Sequence, residues 1–142
     1  MSFDDLPENW TDQTVDDPAR AGDIIDLIVG DRDRDVGCLG FVLLDHQRRP
    51  VQPIVIGEVT EDVDAREFVE SFDTILAHLD GGLGGIIFAR GRPGSVLLTD
   101  GDRRWHQVVI DGCRARRVPL VGAFLATPST VRSYPGGLEL VA

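Results

Sequence analysis

An α/β domain built on one mixed β-sheet flanked by helices is what this sequence predicts, and three observations predict it. Short, continuous apolar runs of strand length alternate with longer stretches of helical periodicity. Two pairs of those runs are joined by turn signals and the others through helices, which makes some neighbours antiparallel and others parallel. The 142 residues, 42% apolar and 27% charged, suit a single domain with a sizeable core. The expected order is α-β-β-α-β-α-β-β over residues 16–142, after an acidic, mobile tail at 1–15.

The tail carries Phe3 and Trp10 as its large anchors, with Trp10 available to dock on the domain or on a partner. Asp17-Pro18 is a helix start, an N-cap followed by a proline at the first helical position. Ala21, Ile24, Ile25, Leu27 and Ile28 form its apolar stripe and Gly30 ends it. Asp31-Arg32-Asp33-Arg34-Asp35 alternates in charge and reads as a solvated loop; it lacks the spacing of a calcium loop. Residues 36–45 then form a strand buried on both faces. His46-Gln47-Arg48-Arg49-Pro50 turns the chain into a second strand at 51–56, which Pro53 assigns to a sheet edge or a bulge.

A long amphipathic helix is expected from about Asp64, with Phe68, Val69, Phe72, Ile75, Leu76 and Leu79 on one face. Gly81-Gly82 stops it before a strand at 83–89. Asp100 or Asp102 opens the next helix, which buries Trp105, Val108, Val109, Gly112 and Cys113 and ends among Arg114, Arg116 and Arg117. Pro119 leads into a strand at 120–126, and Thr127-Pro128-Ser129-Thr130 turns it into Val131-Arg132-Ser133-Tyr134.

Charge divides the chain. Residues 1–35 hold eleven acids and three arginines, residues 36–89 nine and three, residues 90–142 four and eight. The local net charges are −8, −6 and +4 within a total of −10, and every basic residue is arginine. Such an acidic chain is not expected to bind nucleic acid. No apolar run approaches the ~20 residues of a membrane span, and the first residues lack the pattern of a signal peptide. A cytoplasmic location is expected, with Cys38 and Cys113 as buried free thiols; an oxidising compartment would leave a bridge between them open.

The positive part begins at Arg90-Gly91-Arg92-Pro93-Gly94, directly after the apolar run Leu83-Gly84-Gly85-Ile86-Ile87-Phe88-Ala89. Two guanidiniums thus stand where a strand is expected to give way to a loop, the place where α/β domains bind ligands. Guanidinium keeps its proton and has no lone pair, so these side chains can hold an anion and cannot ligate a metal. His46, His78 and His106 are scattered without ligand spacing, and Ser95 lacks the flanking pattern of a nucleophile elbow. The glycines at 81–85 precede a strand and do not form a phosphate cradle. No cofactor is expected.

Element order and four short motifs resemble the JAB/MPN metalloprotease-like fold, in the branch of the bacterial RadC domain. Over roughly residues 36–134, Ile86-Ile87-Phe88-Ala89 stands for the family strand and Arg90-Gly91-Arg92-Pro93-Gly94 for its His-Asn-His-Pro-Ser-Gly motif. Thr99-Asp100-Gly101-Asp102 falls where the family has its serine and third metal ligand, and Arg117-Val118-Pro119-Leu120 where it enters the last strand. A cytidine-deaminase-like topology is the runner-up. In active members two histidines and an aspartate hold zinc, leaving an open position for water, and a glutamate is the general base. Here the histidine positions are Arg90 and Arg92, and only Asp102 remains as a ligand. Residues 36–41, where the glutamate would lie, contain no acid.

The resemblance therefore implies a pseudoenzyme without catalytic residues or metal, acting as a protein-interaction or scaffolding module and self-associating. Opposite charge on its two halves makes that association salt-sensitive. A second reading is a sensor in which Arg90, Arg92, Thr99, Asp102, Arg103 and Arg104 line a pocket for a phosphate- or carboxylate-bearing ligand. Pairing of Arg90 and Arg92 with Asp100 and Asp102 is the competing arrangement. A third reading is a hydrolase or deaminase-related enzyme with relocated ligands, Asp102 and His106 among them.

Overall fold

Asp17 begins the first helix as its chemistry requires: its carboxylate accepts a hydrogen bond from the Arg20 N–H at 2.9 Å, and Pro18 follows at the first helical position. A computed structural model describes residues 14–79 and 81–135. Phe3 and Trp10 lie outside them. Val15 is fully buried, and its N–H donates to the Arg48 carbonyl at 2.8 Å. The packed chain therefore begins before residue 16, where the sequence places it.

The elements are α1 (Pro18–Ile28), α2 (Asp31–Val36), β1 (Cys38–Leu44), β2 (Pro50–Gly57), a single 3-10 turn (Ala65–Phe68), α3 (Val69–His78), β3 (Gly85–Gly91), α4 (Asp100–Ala115), β4 (Leu120–Ala126) and β5 (Val131–Ser133). They follow the expected order with one insertion, α2, which corrects the solvated loop expected at 31–35. Its exposed charges suit a solvated surface, but Arg34 turns inward and is 5% exposed. Its Nε donates to the Val29 carbonyl, one terminal nitrogen to the Thr127 carbonyl, and the other to both the carbonyl and the carboxylate of Asp26. Those acceptors hold the turn of helix in place.

The five strands lie in the order β2-β1-β3-β4-β5. β1 runs antiparallel to both neighbours, β3 and β4 are parallel, and β5 is antiparallel to β4. β2, β3 and β4 therefore point the same way, and their C-terminal ends gather at one end of the sheet. β2 is an edge strand, where a residue without an N–H can face solvent, which explains Pro53 opposite Val42.

Alternation sends Leu39, Phe41, Leu43, Ile86, Phe88 and Leu125 to one face and Cys38, Val42, Leu44, Ile87, Ala89 and Phe124 to the other. The first face is covered by the 3-10 turn, α3 and α4, through Ala65, Phe72, Leu76, Trp105, Val109 and Cys113. The second is covered by α1, through Ala21, Ile24, Ile25 and Ile28. The result is three layers, helix–sheet–helix. Crossovers between parallel strands keep one hand, so two that advance in the same direction fall on one face, as α3 and α4 do. Cys38 and Cys113 belong to opposite faces of the sheet, both buried and unpaired, so no bridge joins them. Among the described residues no helix is long and apolar enough to cross a membrane.

Candidate functional site

Among the described residues the buried polar and charged side chains gather where β2, β3 and β4 finish: Arg34, Arg90, Arg92, Asp102 and Thr127, with His106 one turn further along α4. The strand carrying the arginines runs two residues later than expected, so Arg90 sits inside β3 and Arg92 directly follows it. The two side chains then do different things.

Arg90 enters the core on the α4 face. One terminal nitrogen donates to the Val59 carbonyl at 2.7 Å and the Cys38 carbonyl at 3.2 Å, tying β3 to the start of β1 and to the segment after β2. Its guanidinium carbon lies 5.7 Å from the centre of the Trp105 ring, within cation–π range. Its Nε has no hydrogen-bond partner, and the residue is 2% exposed. Burial pulls its pKa down, and Asp102 pulls it back up. It remains a cation.

Arg92 uses all five of its N–H groups inside the molecule. Nε donates to the Asp102 carboxylate at 2.9 Å and one terminal nitrogen to the same carboxylate at 2.7 Å. That nitrogen also reaches the Leu97 carbonyl, and the other takes the carbonyls of Pro93 and Ser95. The loop after β3 is thus wrapped around the guanidinium. Asp102 also accepts the Thr99 N–H at 2.9 Å, while the Thr99 hydroxyl accepts the Asp102 N–H, a complete capping box at the start of α4. Burial pushes the Asp102 carboxyl up, but the bonds from Arg92 and Thr99 outweigh it and hold it below the usual carboxylate range. The Tyr134 hydroxyl donates to the Asp102 carbonyl at 3.0 Å and pins the helix start to the chain leaving β5.

Of the six residues singled out in the sequence, Arg90, Arg92, Thr99 and Asp102 share this corner. Arg103 and Arg104 do not. Arg103 is exposed and meets Asp100 at 3.5 Å, and Arg104 lies on the outer surface of α4, in a groove facing α3. Their positions follow from helical periodicity: Asp102, Trp105 and His106 occupy the buried face, so the two residues between them point away. Arg34 and Tyr134 join the corner unannounced. Arg34 is masked by the acids around it, and the partner of Tyr134 is a backbone carbonyl 32 residues away.

His106 packs against Tyr134 with ring centres 4.4 Å apart, and its Nε2 has no partner. It does not join Asp102 in a ligand set. Among the described residues no three His, Cys, Asp or Glu side chains gather as a metal site would need. Burial pushes the Cys38 thiol up to about 11 and the Cys113 thiol up to about 12, which disfavours a nucleophilic thiolate at either.

Burial also pulls the His106 pKa down, so the unfolded chain takes up this proton more readily than the folded one. Its contribution to stability is complete above the ordinary histidine value of about 6.5 and is lost as pH falls through that value towards the lowered one. Thermal unfolding between about pH 8 and pH 5 should show a fall in Tm that His106→Phe abolishes. The same slope in both proteins would refute the assignment.

Neither a protein-family model nor a curated protein matches this sequence.

Proposed function

We propose that this chain is a non-catalytic JAB/MPN-like domain, a pseudoenzyme that serves as an interaction or scaffolding module and associates with itself. The observation that carries the reading is the Arg92–Asp102 pair. At the corner where active relatives would hold zinc, a guanidinium occupies a ligand position and its whole donor set is spent internally. The one surviving ligand residue, Asp102, is engaged through both oxygens. A charge pair thus ties β3 to α4, the structural task a metal would otherwise perform. The order of strands and helices over residues 36–134 supports the same reading.

An anion would have to displace Asp102 to reach Arg92, which favours the scaffold over the sensor. The reading also places the protein in the cytoplasm, where two buried thiols on opposite faces of the sheet stay reduced.

Protein purified from zinc-supplemented cells should contain far less than one zinc per chain, and sedimentation should show association that rises with concentration. Stoichiometric zinc removed by a chelator would overturn the pseudoenzyme, and a monomer at every concentration would overturn the self-associating scaffold.

A further inference from the structure

The surface where Arg104 emerges is built differently from the buried corner. Between α3 and α4 runs a groove of about 690 Å³. One wall carries Arg66 from the 3-10 turn and Val69 and Asp73 from α3, and the α4 wall carries Arg104, Val108 and Asp111. Both triplets step by three or four residues, so each lies along one helical face. Phe72 forms the floor, and Gly112 lets it close against α4: a Cβ there would stand 2.5 Å from the Phe72 ring. Val69 is 49% exposed at the rim, one of four large hydrophobic residues so exposed among the described residues.

The charges are ordered along this groove. β2, β3 and β4 point the same way, and α3 and α4 each return from the end of one of them, so the two helices run in the same direction. Along this shared direction both walls therefore present arginine first, valine next and aspartate last. Asp64 already binds Arg66 at 2.9 Å and Arg116 binds Asp73 at 2.8 Å; Arg104, whose charge also acts on Asp64, and Asp111 make no ion pair among the described residues and carry the polarity. Asp111 accepts one bond from the Gln107 amide and stays exposed on the rim.

We propose that this groove is the surface through which a second copy of the chain binds, in an isologous dimer. The inference rests on the self-associating reading above and names its interface. A two-fold axis across the middle of the groove sets Arg104 of each copy against Asp111 of the other and brings the valine strips together. Placing the copies with their helices parallel would oppose like charges. The groove is thus complementary to itself in one orientation only, a form of specificity by repulsion.

Sedimentation of the full chain tests this through two surface substitutions that leave the core untouched. Arg104→Asp and Asp111→Arg should each weaken the wild-type dimer by about tenfold or more, because each opposes like charges twice across the axis. Mixed in equal amounts, the two variants should pair with each other, since one then presents acids and the other arginines. The doubly substituted chain, with the polarity reversed, should dimerise like the wild type. Unchanged dimerisation in both single variants would overturn this surface while leaving self-association standing. Loss of the dimer without recovery on mixing would also overturn it. A wild-type chain that stays monomeric would give the groove to another occupant, residues 1–13 or a foreign protein, and would overturn both readings.

Discussion

Replacing Asp102 by alanine is expected to cost about 3–5 kcal/mol, among the largest single losses available in this fold, because it strands a buried cation. Arg92 is almost fully enclosed and gives Asp102 its shortest side-chain bond, at 2.7 Å, and a second at 2.9 Å. Without the carboxylate, those N–H groups face neither water nor an acceptor. The same substitution removes half of the capping box and orphans the Thr99 N–H, a further loss of about 1 kcal/mol. Denaturant unfolding should therefore shift its midpoint strongly with little change in slope. Asp102→Asn keeps an acceptor oxygen and should lose less. Arg92→Met combined with Asp102→Leu should recover only the share due to the stranded charge, since it also takes the donor from the carbonyls of Pro93, Ser95 and Leu97. A loss below about 1 kcal/mol in Asp102→Ala would mean that the pair is screened by water, like an ordinary surface bridge.

That experiment bears on how the corner could be read from residues alone. The local signals were sufficient where a structure is made by its own neighbours. Asp17-Pro18 starts a helix by itself, and the apolar runs expected at 36–45, 83–89 and 120–126 supply the strands at Cys38–Leu44, Gly85–Gly91 and Leu120–Ala126. Arg92 and Asp102, ten residues apart, could be named as a pair because loop and helix start are consecutive. The rest depended on distant backbone. Arg34 looked like one charge among five, and its burial is decided by the Val29 and Thr127 carbonyls, which periodicity does not reveal. β3 ends two residues later than its sequence predicts for a related reason. An arginine marks a strand end when its charge must reach water, but Arg90 finds two carbonyls and a tryptophan face inside. The charge order of the α3–α4 groove needs the relative direction of two helices, which only the sheet supplies.

Gly37→Ala should produce a loss of similar size by a route that passes through Arg90. Gly37 joins α2 to β1 with φ of 118°, a backbone state that side chains with a Cβ rarely adopt, costing about 1–3 kcal/mol. A Cβ there would also fall within contact distance of the Val59 carbonyl oxygen. That oxygen is the closer of the two acceptors recorded for Arg90, at 2.7 Å, and its own residue is tethered by the Val59 N–H to the Gly37 carbonyl at 3.0 Å. Pushing the carbonyl aside takes a partner from a buried guanidinium, a bond worth about 1.5–3 kcal/mol. The combined expectation is about 3–5 kcal/mol from a single added methyl group. Gly81→Ala separates the two parts: Gly81 also has a positive φ, 84°, but nothing within 4 Å of the added carbon, so it should lose only the backbone share. Coupling supplies the decisive comparison. In an Arg90→Met background the Val59 carbonyl has already lost its cation, and Gly37→Ala should then cost less than in the wild type by at least about 1 kcal/mol. Equal losses in both backgrounds would show that Gly37 matters for its backbone alone. The guanidinium would then be held mainly by Cys38 and Trp105, and the corner would be less tightly coupled than its hydrogen bonds imply.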